Sequence, residues 1–243
     1  MHIKTIGIIG YGDFGRFIAD LTRERYPHIA VKIASASNPV DGKQFFPLDD
    51  VCKAELLFPC VPISAFQETI SEIKLLLGAN TIVCDVATVK MHTIESMRAA
   101  GIPRYIATHP MFGPYSYAKL GDSLKGLRIA ICDSTIGEED MRSVIAFLEE
   151  AGLDVMRLSP DDHDRLVAET LFLTHLVGQT ISKGGFERTA IDTVSFGFLM
   201  DAVESVAHDE KLFRDVYRFN PFCKEVLERF QKTEDAIADF LTQ

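Results

Sequence analysis

The sequence has no excess of positive charge. Its 243 residues carry 25 Lys and Arg against 35 Asp and Glu, a formal net charge of -10. A chain this acidic is not built to hold nucleic acid or an anionic membrane through a general field. Any cation that serves an anionic ligand must be placed locally. A cysteine framework is also missing. The five cysteines, Cys52, Cys60, Cys84, Cys132 and Cys223, are odd in number and form no CxxC pair. Cys60, Cys84 and Cys132 lie within apolar runs, where a thiol acts as a small hydrophobe. Disulfides and a metal centre are therefore not expected, and a reducing compartment is. No apolar run is long enough to cross a bilayer. Met1 leads straight into "IKTIGIIG" with no cleavable signal pattern, so a cytoplasmic location is expected. Internal repeats and low-complexity segments are absent.

What is present is ordinary globular material, 47% hydrophobic and 25% charged, so disorder is not expected. In the first half, strand-like runs ("KTIGIIG", "AVKIAS", "AELLFPC", "NTIVCDVA", "RYIATH") alternate with helix-like stretches ("DFGRFIADLTRERY", "ISAFQETISEIKLLLG", "KMHTIESMRAAG"), and "LRIAICDS", "GEEDMRSVIAFLEEAG" and "DVMRLS" continue the pattern. Near-continuous apolar strands separated by helices predict an α/β fold with a doubly wound sheet buried on both faces. The character changes near Ser159. "SPDDHD" is a helix start, with Ser159 able to cap, Pro160 at the first helical position and Asp161 and Asp162 at the positive end of the dipole. From there to Gln243 only helices are predicted, broken at Lys183-Gly184-Gly185 and at Asn220-Pro221. The expected domains are residues 1–158 and 159–243. A helix from about Asp161 to Ser182 is apolar around most of its circumference (Leu166, Val167, Leu171, Leu173, Leu176, Val177, Ile181), more than the remaining helices can cover. A homodimer through this half is the expected cover.

"IGIIGYGDFG" puts Gly10, Gly12 and Gly15 in GxGxxG spacing, directly after an apolar strand and at the opening of a helix. Gly10 permits the tight turn, Gly12 lets a pyrophosphate approach the backbone, and Gly15 lets helix and strand pack closely. The helix N-terminus then faces the phosphates. A plain glycine-rich turn is the bland alternative, and the strand–turn–helix context disfavours it. The expected cofactor contacts are the loop itself, with Tyr11, Asp13 and Phe14, the end of the second strand, and Cys60, Val61 and Pro62 at the end of the third. At the second strand's end "IASASNP" offers Ser35 and Ser37 as hydroxyl donors. It has no carboxylate to repel a 2′-phosphate and no Arg, Lys43 being only a loose candidate. This favours NADP over NAD.

Three further segments fall at carboxyl ends of strands, where ligands of open α/β sheets bind: "PCVP", "DVATVK" and "THPMFGP". Together with "HDR…THLVG" in the helical half, they make the chain resemble the prephenate/arogenate dehydrogenase family, and most closely its plant-like arogenate dehydrogenase branch. The resemblance runs from "GIIGYGDFGRF" to "VYRFNP". It implies a Rossmann-type domain followed by an all-helical dimerisation domain, with NAD(P)-dependent oxidative decarboxylation of arogenate or prephenate. His109 matches the family's catalytic histidine, its neutral imidazole able to accept the ring hydroxyl's proton, although an arbitrary histidine there would more often be a satisfied core residue. Thr88 matches a hydroxyl position that is usually Ser, with an N-cap role as its alternative. His175 resembles a substrate-binding position, and a helix-face histidine bonded to a carbonyl is the equal alternative. Asp209, in "VESVAHDEKL", resembles an acid that reads the ammonium of arogenate, or else is a solvated acid of an acidic helix. Gly113 is expected to let substrate approach the backbone. His163 and Asp164 match family positions, and helix capping explains them equally well. His2, His28, His92 and His208 read as surface residues.

The sequence departs from the family in having no Arg in "FGFLMDAVES" and in placing Leu171 where the plant type has Gln. Lys90, Lys119, Arg214 and Arg218 are candidates for the ring carboxylate, with Lys90 the expected substrate contact. The alternatives are another Rossmann-plus-helical-dimer reductase, of imine reductase or 3-hydroxyacid dehydrogenase type, and a non-catalytic NADP-sensing dimer.

Overall fold

The computed structural model describes residues 3–243, and His2 lies outside them. The chain divides into two compact units, Met1–Pro160 and Asp161–Gln243.

The first unit alternates strand and helix: β1 (Thr5–Ile9), α1 (Asp13–Arg25), β2 (Ala30–Ala34), α2 (Leu48–Val51), β3 (Leu56–Pro59), α3 (Ile63–Ile73), β4 (Ile82–Asp85), α4 (Lys90–Ala100), β5 (Tyr105–Pro110), α5 (Pro114–Lys119), β6 (Arg128–Ser134), α6 (Glu138–Glu150) and β7 (Asp154–Arg157). The strands form one seven-stranded sheet in the order β2-β1-β3-β4-β5-β6-β7. Its two faces are filled by successive residues of the same strands. Val83 packs into one cluster with Leu57, Phe66, Ile70 and Met97, while Ile82 and Cys84 pack into the other with Ile106, Ile131 and Met141. That period of two, with both sides apolar, is why the strands read as unbroken hydrophobic runs.

β1 to β5 are parallel. β6 runs antiparallel to β5, and β7 is parallel to β6. The doubly wound sheet is thus mostly parallel, with its direction reversed at β6. Only the short α5 lies between β5 and β6, and the chain doubles back beside β5 after it. The β5–β6 ladder slips by one residue. Ala107 faces Asp133 while Thr108 faces Ile131, leaving Cys132 as the extra residue of a bulge. The bulge bends β6 beside the end of β5 that carries Thr108 and His109.

The second unit is helical: α7 (Pro160–Val167), a π-helical turn (Ala168–Phe172), α8 (Leu173–Lys183), α9 (Val194–Val206), α10 (Glu210–Phe219) and α11 (Cys223–Leu241). The long helix expected from residue 161 to 182 is present, but a π-turn interrupts it. Phe172 stacks on Phe213 at 5.4 Å and on Tyr217 at 5.8 Å, tying this segment to α10. Many apolar side chains of the unit remain exposed, including Phe186, Ile191, Val194, Phe198, Ile237, Phe240 and Leu241. Among the described residues no helix is long and apolar enough to cross a membrane.

Candidate active site

Because β1, β3, β4 and β5 are parallel neighbours, their carboxyl ends share one edge of the sheet. The glycine loop follows β1, Cys60–Pro62 follows β3, residues 86–89 follow β4, and His109 closes β5.

The glycines are held by contact. Gly10 has φ +95°, and a Cβ there would sit 2.3 Å from the Cys60 carbonyl oxygen. A Cβ on Gly15 would meet the Gly10 carbonyl oxygen at 2.2 Å and the Cys60 Cβ at 3.2 Å. The amide of Cys60 donates to Ile9 O at 2.7 Å. Turn, helix and third strand are therefore locked together, and Val61 lies within 3.4 Å of the Gly10 position. At Gly12 the situation is the opposite, with no atom within 4 Å of the place a methyl group would take. Gly12 is also the N-cap of α1, and no side chain caps the helix. An open cradle beside uncapped amides fits the pyrophosphate of a dinucleotide. Asp13 is exposed in the first turn. Phe14 packs on Phe17 at 5.9 Å.

At the second strand the Ser35 hydroxyl donates to Asn38 Oδ1 at 2.9 Å and accepts from the Ser37 amide at 3.3 Å. Tyr11 sits between Arg16, whose guanidinium lies 5.2 Å from its ring centre, and Gln44, whose Nε2 donates to the Tyr11 hydroxyl at 2.7 Å. Arg16 was not foreseen from the sequence. The available signal was its place directly after the third glycine, on the exposed side of the first turns of α1.

His109 is 4% exposed. The turn after it folds against the cofactor helix, with Phe112 edge-on to Phe17 of α1 at 6.3 Å and Tyr117 at 5.2 Å from the same ring. Thr88 is half-buried in the loop after β4. Capping does not explain it, since the N-cap of α4 is Val89 and makes no side-chain cap bond. Gly113 has extended backbone, φ -142°, and nothing within 4 Å of its Cβ position, so left-handed geometry is not what glycine supplies there.

Lys90 is a correction. Its side chain is 0% exposed. The ammonium donates to Asp85 Oδ2 at 2.5 Å and to the Thr108 carbonyl at 2.6 Å. It lies inside the unit and is not offered to a substrate carboxylate. Lys119 and Arg218 lie over the rings of Tyr115 and Phe219. Arg214 lines an open cavity of about 660 Å³ with Ala207, His208, Glu210, Lys211 and Asp215.

In the second unit, His175 makes the carbonyl bond expected of a helix-face histidine. Nδ1 donates to the Leu171 carbonyl at 2.9 Å, since a carbonyl can only accept. Nε2 is buried with no hydrogen-bond partner among the described residues. It lies 3.6 Å from Asp209 Oδ2. The imidazole stacks on Phe213 at 6.1 Å. Asp209 is not a helix-interior acid. It is the N-cap residue of α10, makes no cap bond through its side chain, and is about half exposed. The π-turn that ends just before His175 was invisible in the sequence, and such turns recur at functional sites. His163 and Asp164 are both buried. They form a buried pair, Nδ1 to Oδ1 2.8 Å, inside α7. Of the histidines read as surface, His28 and His208 are exposed while His92 is half-buried. Among the described residues no group of His, Cys, Asp and Glu is arranged to hold a metal.

A glycine turn opening onto an uncapped helix, with a buried histidine along the same sheet edge, defines a dinucleotide-binding protein of the Rossmann type. The sequence profile described as "Prephenate dehydrogenase, nucleotide-binding domain" matches residues 34–157, and the chain belongs to that family. Arogenate dehydrogenase 1, chloroplastic, of Arabidopsis thaliana is 27% identical over 248 residues, covering 96% of this chain and 38% of that protein. The cyclohexadienyl dehydrogenase of Zymomonas mobilis is 26% identical, covering 97% of this chain and 89% of that one. This chain therefore spans well under half the length of the first relative. The fold matches prephenate dehydrogenase from A. aeolicus, solved with hydroxyphenyl propionate and NAD+, with a TM-score of 0.75, 16% identity and coverage of 100% and 92%. It also matches Synechocystis arogenate dehydrogenase, with a TM-score of 0.70, 19% identity and coverage of 98% and 92%.

Proposed function

We propose that the chain is an NAD(P)-dependent dehydrogenase that oxidatively decarboxylates arogenate or prephenate. The observation that carries this reading is the shared sheet edge, where the buried His109 closes β5 and the turn after it packs onto the helix of the glycine loop. A nicotinamide dinucleotide held by the Gly10–Gly15 loop and Cys60–Pro62 would supply the hydride acceptor for C4 of the cyclohexadienol ring. His109 accepts the proton of the C4 hydroxyl, and Thr88 orients that hydroxyl. The ring carboxylate leaves as carbon dioxide, its bonding electrons complete the aromatic ring, and the proton held by His109 returns to the phenolate oxygen. Arogenate gives tyrosine and prephenate gives 4-hydroxyphenylpyruvate.

Arogenate is the favoured substrate. The Asp209 carboxylate, half-exposed and 3.6 Å from His175 Nε2, suits a ligand ammonium, and the keto group of prephenate offers no such donor. Arg214, which lines the open cavity, is the favoured candidate for a substrate carboxylate, Lys90 being used internally. NADP is the favoured nucleotide. Ser35 and Ser37 carry hydroxyls without a competing acid, and Arg16, steadied on Tyr11, supplies the cation for a 2′-phosphate. The exposed apolar side chains of α9, α11 and the 184–193 loop favour a homodimer through the second unit, and the cytoplasm is the location that fits the thiol chemistry.

The test is a four-way assay at 340 nm, arogenate and prephenate each with NAD and NADP. Steady reduction, fastest with arogenate and NADP, supports the reading. No turnover in any combination overturns it.

A further inference from the structure

We propose that the buried Asp85–Lys90 pair is a positioning device that holds Thr88 and His109 in register across two strands. This rests on His109 being the base. The pair lies beneath both residues. Asp85, the last residue of β4, accepts the Ala87 amide on Oδ1 at 2.8 Å, which fixes the loop leading to Thr88. Its Oδ2 accepts from Lys90 Nζ at 2.5 Å and from Thr93 Oγ1 at 2.6 Å. Lys90 then reaches the next strand and donates to the Thr108 carbonyl at 2.6 Å. Thr108 returns the link, its Oγ1 donating to the Asp85 carbonyl at 2.7 Å. Asp85, Lys90 and Thr93 are each 0% exposed.

What makes this more than a core ion pair is where it attaches. Thr108 is the residue at which the β5–β6 ladder slips. The extra residue, Cys132, is on β6, and Thr108 lies one residue past the last β4–β5 pairing, Asp85 with Ala107, so contacts other than that ladder fix its geometry towards β4. Lys90 and Asp85 supply those contacts, and His109 is the next residue. One carboxylate thus governs the loop of Thr88 through Oδ1 and the aim of His109 through Oδ2, Lys90 and Thr108. Isolated buried charges of opposite sign are costly to keep, and an apolar pair of similar volume is often as stable. A geometric role accounts for keeping them.

The test compares Lys90→Met, Asp85→Asn and the double variant Asp85→Asn/Lys90→Met, with His109→Asn alongside. The double variant leaves no buried charge unpaired, so it folds even where a single variant does not. Folding is read by thermal unfolding, and cofactor binding by NADPH fluorescence titration. The expected result for the double variant is a cooperative transition, an NADPH Kd within about threefold of wild type and a KM that moves little, with kcat down by tenfold or more. A purely structural pair would lower stability and leave kcat per folded molecule unchanged. A folded double variant with wild-type kcat overturns the proposal. If His109→Asn itself keeps turnover, the assignment of the base fails instead, and the two failures are separate.

Discussion

Alanine at Gly12 and alanine at Gly15 should part company, and the structure says by how much. At Gly15 the new methyl would lie 2.2 Å from a backbone oxygen, that of Gly10, and 3.2 Å from the Cβ of Cys60. Neither can swing aside as a long side chain would, so α1 must shift off the turn. Overpacking of this kind costs about 1–3 kcal/mol. Alanine regains about 0.5–1 kcal/mol of helix propensity, so the net loss should be about 1–2 kcal/mol. For a chain of this size that is roughly 2–8 °C in Tm. At Gly12 nothing lies within 4 Å, and φ is -76°, a value any residue adopts. The apo protein should tolerate Gly12→Ala within about 0.5 kcal/mol. That same open space is the proposed pyrophosphate cradle, so the methyl should weaken NADPH binding by about tenfold or more. Thermal unfolding without nucleotide and fluorescence titration with NADPH read the two effects separately. If Gly12→Ala lowers the apo Tm as much as Gly15→Ala does, the cradle is filled by protein. If it leaves the NADPH Kd unchanged, nucleotide does not sit there.

Three other outcomes are expected. Asp209→Asn should lower the arogenate-to-prephenate ratio of kcat/KM by about tenfold, the low end for a hydrogen bond to a charged group because Asp209 is half exposed; an unchanged ratio would remove Asp209 from recognition. The Glu55 carboxylate is held below its ordinary pKa of 4.5, chiefly by the Lys4 amide, which donates to it at 2.5 Å with that of Thr5 at 3.0 Å. A depressed folded pKa means its stabilisation is complete above 4.5 and is lost as the pH falls below that value. Glu55→Gln should therefore lower the unfolding midpoint near neutral pH, converge with wild type at low pH and so flatten the acid limb, and an acid limb identical to wild type would refute this. Burial pushes the thiols of Cys52 to about 11 and of Cys84 and Cys223 to about 12. These three should resist iodoacetamide at pH 8 in the native protein and react freely in denaturant, as mass spectrometry of the labelled peptides would show.

Much of the first unit was legible because its strands are apolar on both faces and its breaks carry Gly or Pro. The direction of β6 was not, since "LRIAICDS" reads the same whichever way it runs. Lys90 misleads for a related reason. The sequence places a lysine at the end of a ligand-facing loop but cannot say that Asp85 lies beneath it, five residues earlier and one strand end away. Asp209 reads as part of a helix because "VESVAHDEKL" contains no Gly or Pro, yet the chain breaks there between α9 and α10. The π-turn before His175 leaves no mark in residue type. The glycine loop, by contrast, was readable where sterics decide: Gly10 and Gly15 each have a close backbone oxygen where a Cβ would sit, and Gly12 does not.

The account stands on one imidazole taking a proton as the ring is oxidised. The most direct measurement is kcat for His109→Asn under saturating arogenate and NADP, with NADPH affinity measured on the same preparation. A loss of three orders of magnitude or more, with the Kd for NADPH nearly unchanged, is what the account predicts. Turnover within about tenfold of wild type would contradict it.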